Sequence, residues 1–216
     1  MRQFILDNFN TWDDWRLTLT AKATPPPEVK ANYINLDGRH GSLDLSEALT
    51  GEVVYGDRTV EATFWTSEGT DTSRVQLIRE IIAALHGKKV RIVEPDDPDH
   101  YFLGRVSIKP VAHDLVHDEF DMAAICEPWR YACEETVRWI ELTDSPADVV
   151  IRNHGVKTLC PDIEVDGSVL LTYDGGTVEL TTGSHKVTGF KLRQGCSIVS
   201  VSGSGSVTFV YREATL

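Results

Sequence analysis

From Thr136 to Leu216 no stretch places its apolar residues at helical spacing; they alternate in short runs parted by turn residues. Val169, Leu171 and Tyr173, then Val178 and Leu180, then Val207, Phe209 and Tyr211 fall two apart, the period of a strand with one buried face. Turn signals separate the runs at Asn153-His154-Gly155, Asp166-Gly167, Asp174-Gly175-Gly176, Gly183-Ser184 and Gly203-Ser204-Gly205. Eight or so short strands in this rhythm predict an antiparallel β-sandwich. No repeat of fixed period, the mark of a solenoid or propeller, is evident.

The residues before this region read differently. Leu17, Leu19 and Ala21 alternate with Thr18, Thr20 and Lys22, predicting a strand that Pro25-Pro26-Pro27 ends, because proline cannot donate to a ladder. Val29 to Leu36 reads as extended, and Gly38-Arg39-His40-Gly41 as a loop whose glycines permit positive φ. Val53 to Trp65 holds two β-rich pieces broken at Gly56-Asp57, a hairpin signal. One helix is predicted over 72–86: Asp71-Thr72-Ser73 offers N-cap candidates, and Val75, Ile78, Ile82 and Leu85 recur at three- and four-residue spacing. Gly87 stands where a C′ glycine belongs, and His86 suits the negative end of the helix dipole. Strands at Val90–Val93 and Tyr101–Leu103 flank a turn at Pro95–Asp99, and another extended run covers Asp118 to Cys126. The fold class is therefore mainly β. An α+β N-terminal domain with one helix spans 1–135, and an antiparallel β-sandwich spans 136–216.

Composition excludes several classes of function. A chain of 216 residues, 41% hydrophobic and 25% charged, is ordinary for globular domains and long enough for two cores. The net charge of −12 disfavours generic binding to phosphate backbones or anionic membrane. Apolar runs such as Ile81–Leu85 are far too short to span a bilayer, and the opening Met1-Arg2-Gln3-Phe4-Ile5-Leu6-Asp7 meets acid before a signal peptide can form. Cys126, Cys133, Cys160 and Cys196 are scattered without a C-x-x-C pair, which predicts reduced, buried thiols.

No residue set specifies catalysis, a cofactor or a metal. His113 and His117, with Cys126 and Cys133 downstream, lie in strand-like sequence that does not aim both imidazoles at one ion, and Asp114 and Asp118 suit a solvated face. Gly203-Ser204-Gly205 leads into strand rather than into the helix of a nucleophile elbow. Asp96, Asp97 and Asp99 lack the spaced oxygen ligands of a calcium loop. No phosphate-binding glycine motif occurs. The tryptophans, Trp12, Trp15 and Trp129 among them, read as packing residues first and as sugar-stacking platforms second.

Two stretches carry a family resemblance. The first is Pro26-Pro27-Glu28-Val29-Lys30-Ala31-Asn32-Tyr33-Ile34, followed by Gly38-Arg39-His40-Gly41-Ser42-Leu43-Asp44-Leu45-Ser46. The second comprises Ile151-Arg152-Asn153-His154-Gly155, Cys160-Pro161-Asp162-Ile163 and the closing Gly205–Arg212. Together they resemble the distal tail protein (Dit) family of long-tailed, non-contractile phages. The resemblance implies a galectin-like C-terminal sandwich and an N-terminal domain that closes a homo-hexameric ring at the tail tip. It implies a virion protein, assembled in the host cytoplasm, that joins the tail tube protein to the tail-associated hub or spike, with the tape measure or a receptor-binding protein as further neighbours. It implies no enzyme activity and no membrane insertion.

The charge distribution suits such a ring. Residues 1–135 hold 24 acidic and 14 basic side chains, net −10, so six copies carry a formal −60. Carboxylates facing a lumen repel DNA phosphates, so DNA would pass without specific binding, within a screening length of about 10 Å at 0.1 M salt. Gly38, Arg39, Gly41 and Asp44 are the candidate subunit-interface residues, in a loop expected at a boundary between copies. Two other readings stay open: a module that binds host-surface polysaccharide, and another ring-forming component such as the tube protein. A Cys/His hydrolase finds no nucleophile signature.

Overall fold

The computed structural model describes residues 2–113 and 116–216, with side chains described outside 110–113. It is mainly β with one helix and forms two compact units, one running to Trp129 and including Leu216, the other covering Arg130–Thr215. The division falls before residue 135, because the strand that ends the first unit runs on into the second.

The first unit contains β1 (Ile5–Leu6), β2 (Phe9–Asn10), β3 (Thr18–Ala23), β4 (Tyr33–Asn35), β5 (Ser42–Asp44), β6 (Arg58–Thr66), α1 (Asp71–Leu85), β7 (Lys89–Glu94), β8 (Asp97–His113) and most of β9 (Asp118–Ala132). One curled antiparallel sheet runs in the order β2-β1-β7-β8-β9-β6-β3. Its inner face follows the period of two: Val60, Ala62 and Phe64 on β6, Phe120, Met122, Ala124 and Cys126 on β9, Val90 and Ile92 on β7. Burying each large side chain contributes about 1.5–3 kcal/mol. The curl brings the far edge strand back to β7. Lys22 of β3 lies 3.4 Å from Glu94 and 2.8 Å from Asp96, and the Thr24 hydroxyl donates to Glu94.

The helix lays Ile81 and Leu85 on this core, with Leu77, Ile78 and Ile82 beside them; Ile81, not Val75, is the deeply buried member. Its cap is Thr70, whose hydroxyl accepts from the Ser73 N–H, one residue before the expected Asp71-Thr72-Ser73. The His86 Nδ1 accepts the Ile108 N–H at 3.1 Å. Arg74 and Asp118 pair at 3.4 Å in the interior, tying α1 to the start of β9. The hairpin expected within Val53–Trp65 does not form. β6 is a single strand, and Tyr55 bridges back to Val29 instead. The Pro95–Asp99 turn shrinks to two residues because β8 already begins at Asp97, paired with Glu94.

The second unit contains the end of β9 with β10 (Thr136–Glu141), β11 (Ala147–Asn153), β12 (Asp162–Tyr173), β13 (Gly176–Lys186), β14 (Gly195–Tyr211) and β15 (Ala214–Thr215), which pairs Tyr131 and Arg130. Its strands are fewer and longer than the eight expected. Two turn signals, Asp166-Gly167 and Gly203-Ser204-Gly205, lie inside β12 and β14 and face each other in register. There β14 changes partner: Gly195–Val201 pairs β11, Ser206–Tyr211 pairs β10, while β12 follows it on the other side. Gly167, Gly203 and Gly205 have positive φ, and a Cβ on any of them would stand within 2.1 Å of a facing carbonyl oxygen. Bare backbone at this line lets the sheet curl over its own core, which Ile163, Val165, Val169 and Leu171 fill from β12 and Val199, Val201, Val207 and Phe209 from β14.

Asn153 locks the unit from inside. Its buried amide donates to the Lys157 and Leu192 carbonyls at 2.9 and 3.1 Å and accepts the Gly155 N–H at 3.0 Å.

Candidate functional site

Between β3 and β6 the chain leaves the sheet at Pro27 and returns at Arg58. The intervening residues 28–57 form an arm with no buried side chain. The root of the arm is fixed. Lys30 N–H donates to Val54 O and Gly56 N–H to Glu28 O, both at 2.8 Å, and the Tyr55 ring meets Trp129 edge-on at 5.5 Å. Arg58, itself buried, donates through Nη2 and Nε to Pro25 O at 2.8 and 3.2 Å and through Nη1 to Pro128 O at 3.3 Å. Its guanidinium lies 4.8 Å from the Phe102 ring centre.

Farther out, β4 and β5 pair as a ladder of three residues each, Tyr33 with Asp44 and Asn35 with Ser42. The connection turns through Gly38 (φ +83°) and Gly41 (φ +76°), with the Arg39 N–H donating to Leu36 O at 3.2 Å. Asp44 is committed locally: its Oδ1 accepts the Ser46 hydroxyl at 2.5 Å and the Ser46 N–H at 2.9 Å. Those bonds, the hydroxyl's first, hold its carboxyl below the usual range. Of the four interface candidates, Gly38, Arg39 and Gly41 form the exposed tip, and Asp44 organises the turn that follows.

Sequence reasoning missed the apolar surface this arm displays. Val29, Tyr33, Ile34, Leu36, Leu49 and Val53 are all exposed, Tyr33 at 63% and Leu49 at 99%. The signal was the absence of alternation in this stretch: neighbours Tyr33 and Ile34 cannot both face one core. A ladder this short does not hold itself in water.

The residues considered for chemistry are placed apart. The side chain of His113 and all of Asp114 lie outside the described residues, while the His117 ring packs edge-on to Trp65 at 6.2 Å. Among the described residues no group of His, Cys, Asp and Glu is arranged to hold a metal. Cys126 is buried, and desolvation pushes its thiol up to about 12. Cys133 and Cys196 are exposed, against the expectation of burial. Trp15 stacks on Phe9 at 5.0 Å, and Trp12 receives Arg16 at 5.5 Å, so these rings share no single platform. No helix among the described residues is long and apolar enough to cross a membrane.

No protein-family model matches this sequence, and no curated protein matches it. Among solved structures, the fold is similar to that of SPP1 Dit (gp 19.1), described as a paradigm of the hub adsorption apparatus in phages that infect Gram-positive bacteria. The two superimpose with a TM-score of 0.73 at 15% identity, covering all of both chains. At that identity the likeness establishes the fold.

Proposed function

We propose that this chain is a structural protein of a long, non-contractile phage tail, closing a homo-hexameric ring at the tail tip that joins the tube to the hub and leaves a channel for DNA. The observation that carries the reading is the fold likeness to SPP1 Dit over the full length of both chains. The arm supports it independently. Its apolar side chains need a cover, and a head-to-tail contact repeated around an axis gives each copy the same cover. The Gly38–Gly51 loop then lies at the subunit boundary, with Arg39 at its tip. The tail tube protein and the tail-associated hub or spike are the expected neighbours, the virion the expected location, and the role is one of shape without catalysis.

Light scattering on purified protein tests the arm's part. The unaltered chain is expected at six times the monomer mass. Arg39→Glu and Leu49→Asp, both on exposed side chains, are expected to release monomers that keep the native circular-dichroism spectrum. A ring undisturbed by either change removes the arm from the boundary.

A further inference from the structure

Because β12 and β14 curl over at their glycines, the second unit stays open along one side. β10 pairs one half of β14 and β11 the other half, both opposite β12, and neither has a second strand partner among the described residues. Their outer edges border a seam. A groove of about 460 Å³ lies there, lined by Val137 and Arg138 of β10 and by Val150 and Arg152 of β11. Tyr211 spans it from within: its hydroxyl donates to the Arg152 carbonyl oxygen and ties the two halves together. Burial and the Glu213 carboxylate raise the Tyr211 hydroxyl above its usual value, whereas the Arg138 charge lowers it, so that guanidinium stands at the same mouth.

The opposite edge of the unit, β13, is interrupted. Its pairing with β12 shifts register between Val165 and Ser168, Gly183 stands in it at φ +140°, and it ends in Lys186. Such features keep a free edge from pairing with other chains. β10 and β11 have none of them: no proline, glycine, lysine or register shift. Val137 and Trp139 are exposed on β10, as is Val150 on β11. Regular edges flanked by apolar and β-branched side chains suit the addition of a strand.

Charge selects which strand. The chain carries a net −12, yet Arg138 and Arg152 both line this groove, and neither makes a hydrogen bond or ion pair among the described residues. Elsewhere in the unit long cations are engaged: Lys186 with Asp162 and Arg212 with Glu135, both at 3.0 Å. Glu213, which also lines the groove, already accepts the His154 N–H at 3.1 Å. The acids of the two strands sit nearer the glycine line: Glu141 lies opposite Ser206 and Asp148 opposite Ser200, whereas Arg138 and Arg152 lie opposite Phe209 and Cys196.

We propose that this seam takes in an extended, acidic segment of another protein, which pairs with the outer edge of β10 and sets a glutamate or aspartate side chain between Arg138 and Arg152. Main-chain hydrogen bonds supply the affinity. The guanidinium pair supplies the selectivity, since each offers two parallel donors to a carboxylate. A basic or neutral strand would leave both cations unanswered, and a compact anion would leave both edges unpaired. The inference does not depend on ring closure.

Fluorescence anisotropy of a dye-labelled peptide against the full chain at low salt tests it. The probe is acetyl-Thr-Val-Glu-Val-Glu-Val-Thr-amide, and the comparators carry glutamine or lysine in place of both glutamates. The glutamate peptide is expected to bind about tenfold or more tightly than either comparator, and the Arg138→Ala/Arg152→Ala variant is expected to lose that preference. Arg138→Glu/Arg152→Glu should reverse it in favour of the lysine peptide, while Lys191→Ala, an altered cation outside the groove, should change nothing. Amide exchange should show new protection across 136–141 when the glutamate peptide is added. The inference is overturned if the three peptides bind alike, if the double alanine variant keeps the preference, or if the glutamate peptide binds without protecting β10. It is also overturned if the double alanine variant alone changes mass by light scattering, because the seam then joins copies of this chain. All altered side chains are exposed, and an unchanged melting curve verifies that each variant is folded.

Discussion

Gly203 and Gly183 share a φ of +140°, yet their surroundings differ, and that contrast isolates what the curled second unit requires. At Gly183, on β13, the nearest atom to an added Cβ is the His185 ring at 3.8 Å, so Gly183→Ala meets backbone strain alone, about 1–3 kcal/mol. At Gly203 the same methyl would stand 2.0 Å from the Ser168 carbonyl oxygen, far inside contact distance. The strand β12 would have to move away, and overpacking of that kind adds about 1–3 kcal/mol, for a total of about 2–6 kcal/mol. Against a domain stability of about 5–15 kcal/mol this is a large loss. Amide hydrogen exchange read peptide by peptide in the full chain is the suitable assay, because two units need not unfold together. Gly203→Ala should lower protection across both β12 and β14, whereas Gly183→Ala should do so by the smaller amount. Equal losses in the two variants would refute the view that close backbone approach at this line shapes the unit.

Other outcomes follow from single sites. Ellman's reagent at pH 8 should titrate Cys133 and Cys196 rapidly and reach Cys126 only on unfolding, because that thiol is buried and stays protonated to about pH 12. Because its folded value is raised, the Cys126 contribution to stability is complete below pH 9 and fades as pH climbs from 9 toward 12, which alkaline denaturation of a Cys126→Ala chain would fail to reproduce. Asp44 should titrate below 3.8 by carbon-detected NMR, and Ser46→Ala should bring it back toward that value; its stabilising effect is present above 3.8 and lost as pH falls through the depressed value. Asn153→Ala removes the partner of the Lys157 carbonyl and of the Gly155 N–H, while the Leu192 carbonyl keeps the Leu159 N–H, and should cost about 1–3 kcal/mol by urea unfolding.

The fold was legible where burial is one-sided. The helical spacing ending at Leu85 and the period of two through Val207, Phe209 and Tyr211 each report a face turned to a core; β3 formed too, but its alternation holds only to Leu19, because the register shifts between Leu19 and Ala21 and leaves Ala21 exposed. Glycine misled in two directions. At Asp166-Gly167 and Gly203-Ser204-Gly205 it reads as a turn from composition, but it serves close strand contact inside long strands, a property of the partner strand that one segment cannot display. At Gly56-Asp57 a turn signal marks only the foot of the arm. The candidate site was half visible. Gly38 and Gly41 announced the tip, whereas the apolar residues beside it gave no periodic signal, since they face no core of the chain's own.

Negative-stain microscopy of the purified chain, alone and mixed with its tube and hub neighbours, puts the assembly to the most direct test. The account predicts closed particles with sixfold averages and a central pore. Monomers under every condition, or open-ended tubes that lengthen with concentration, would contradict it.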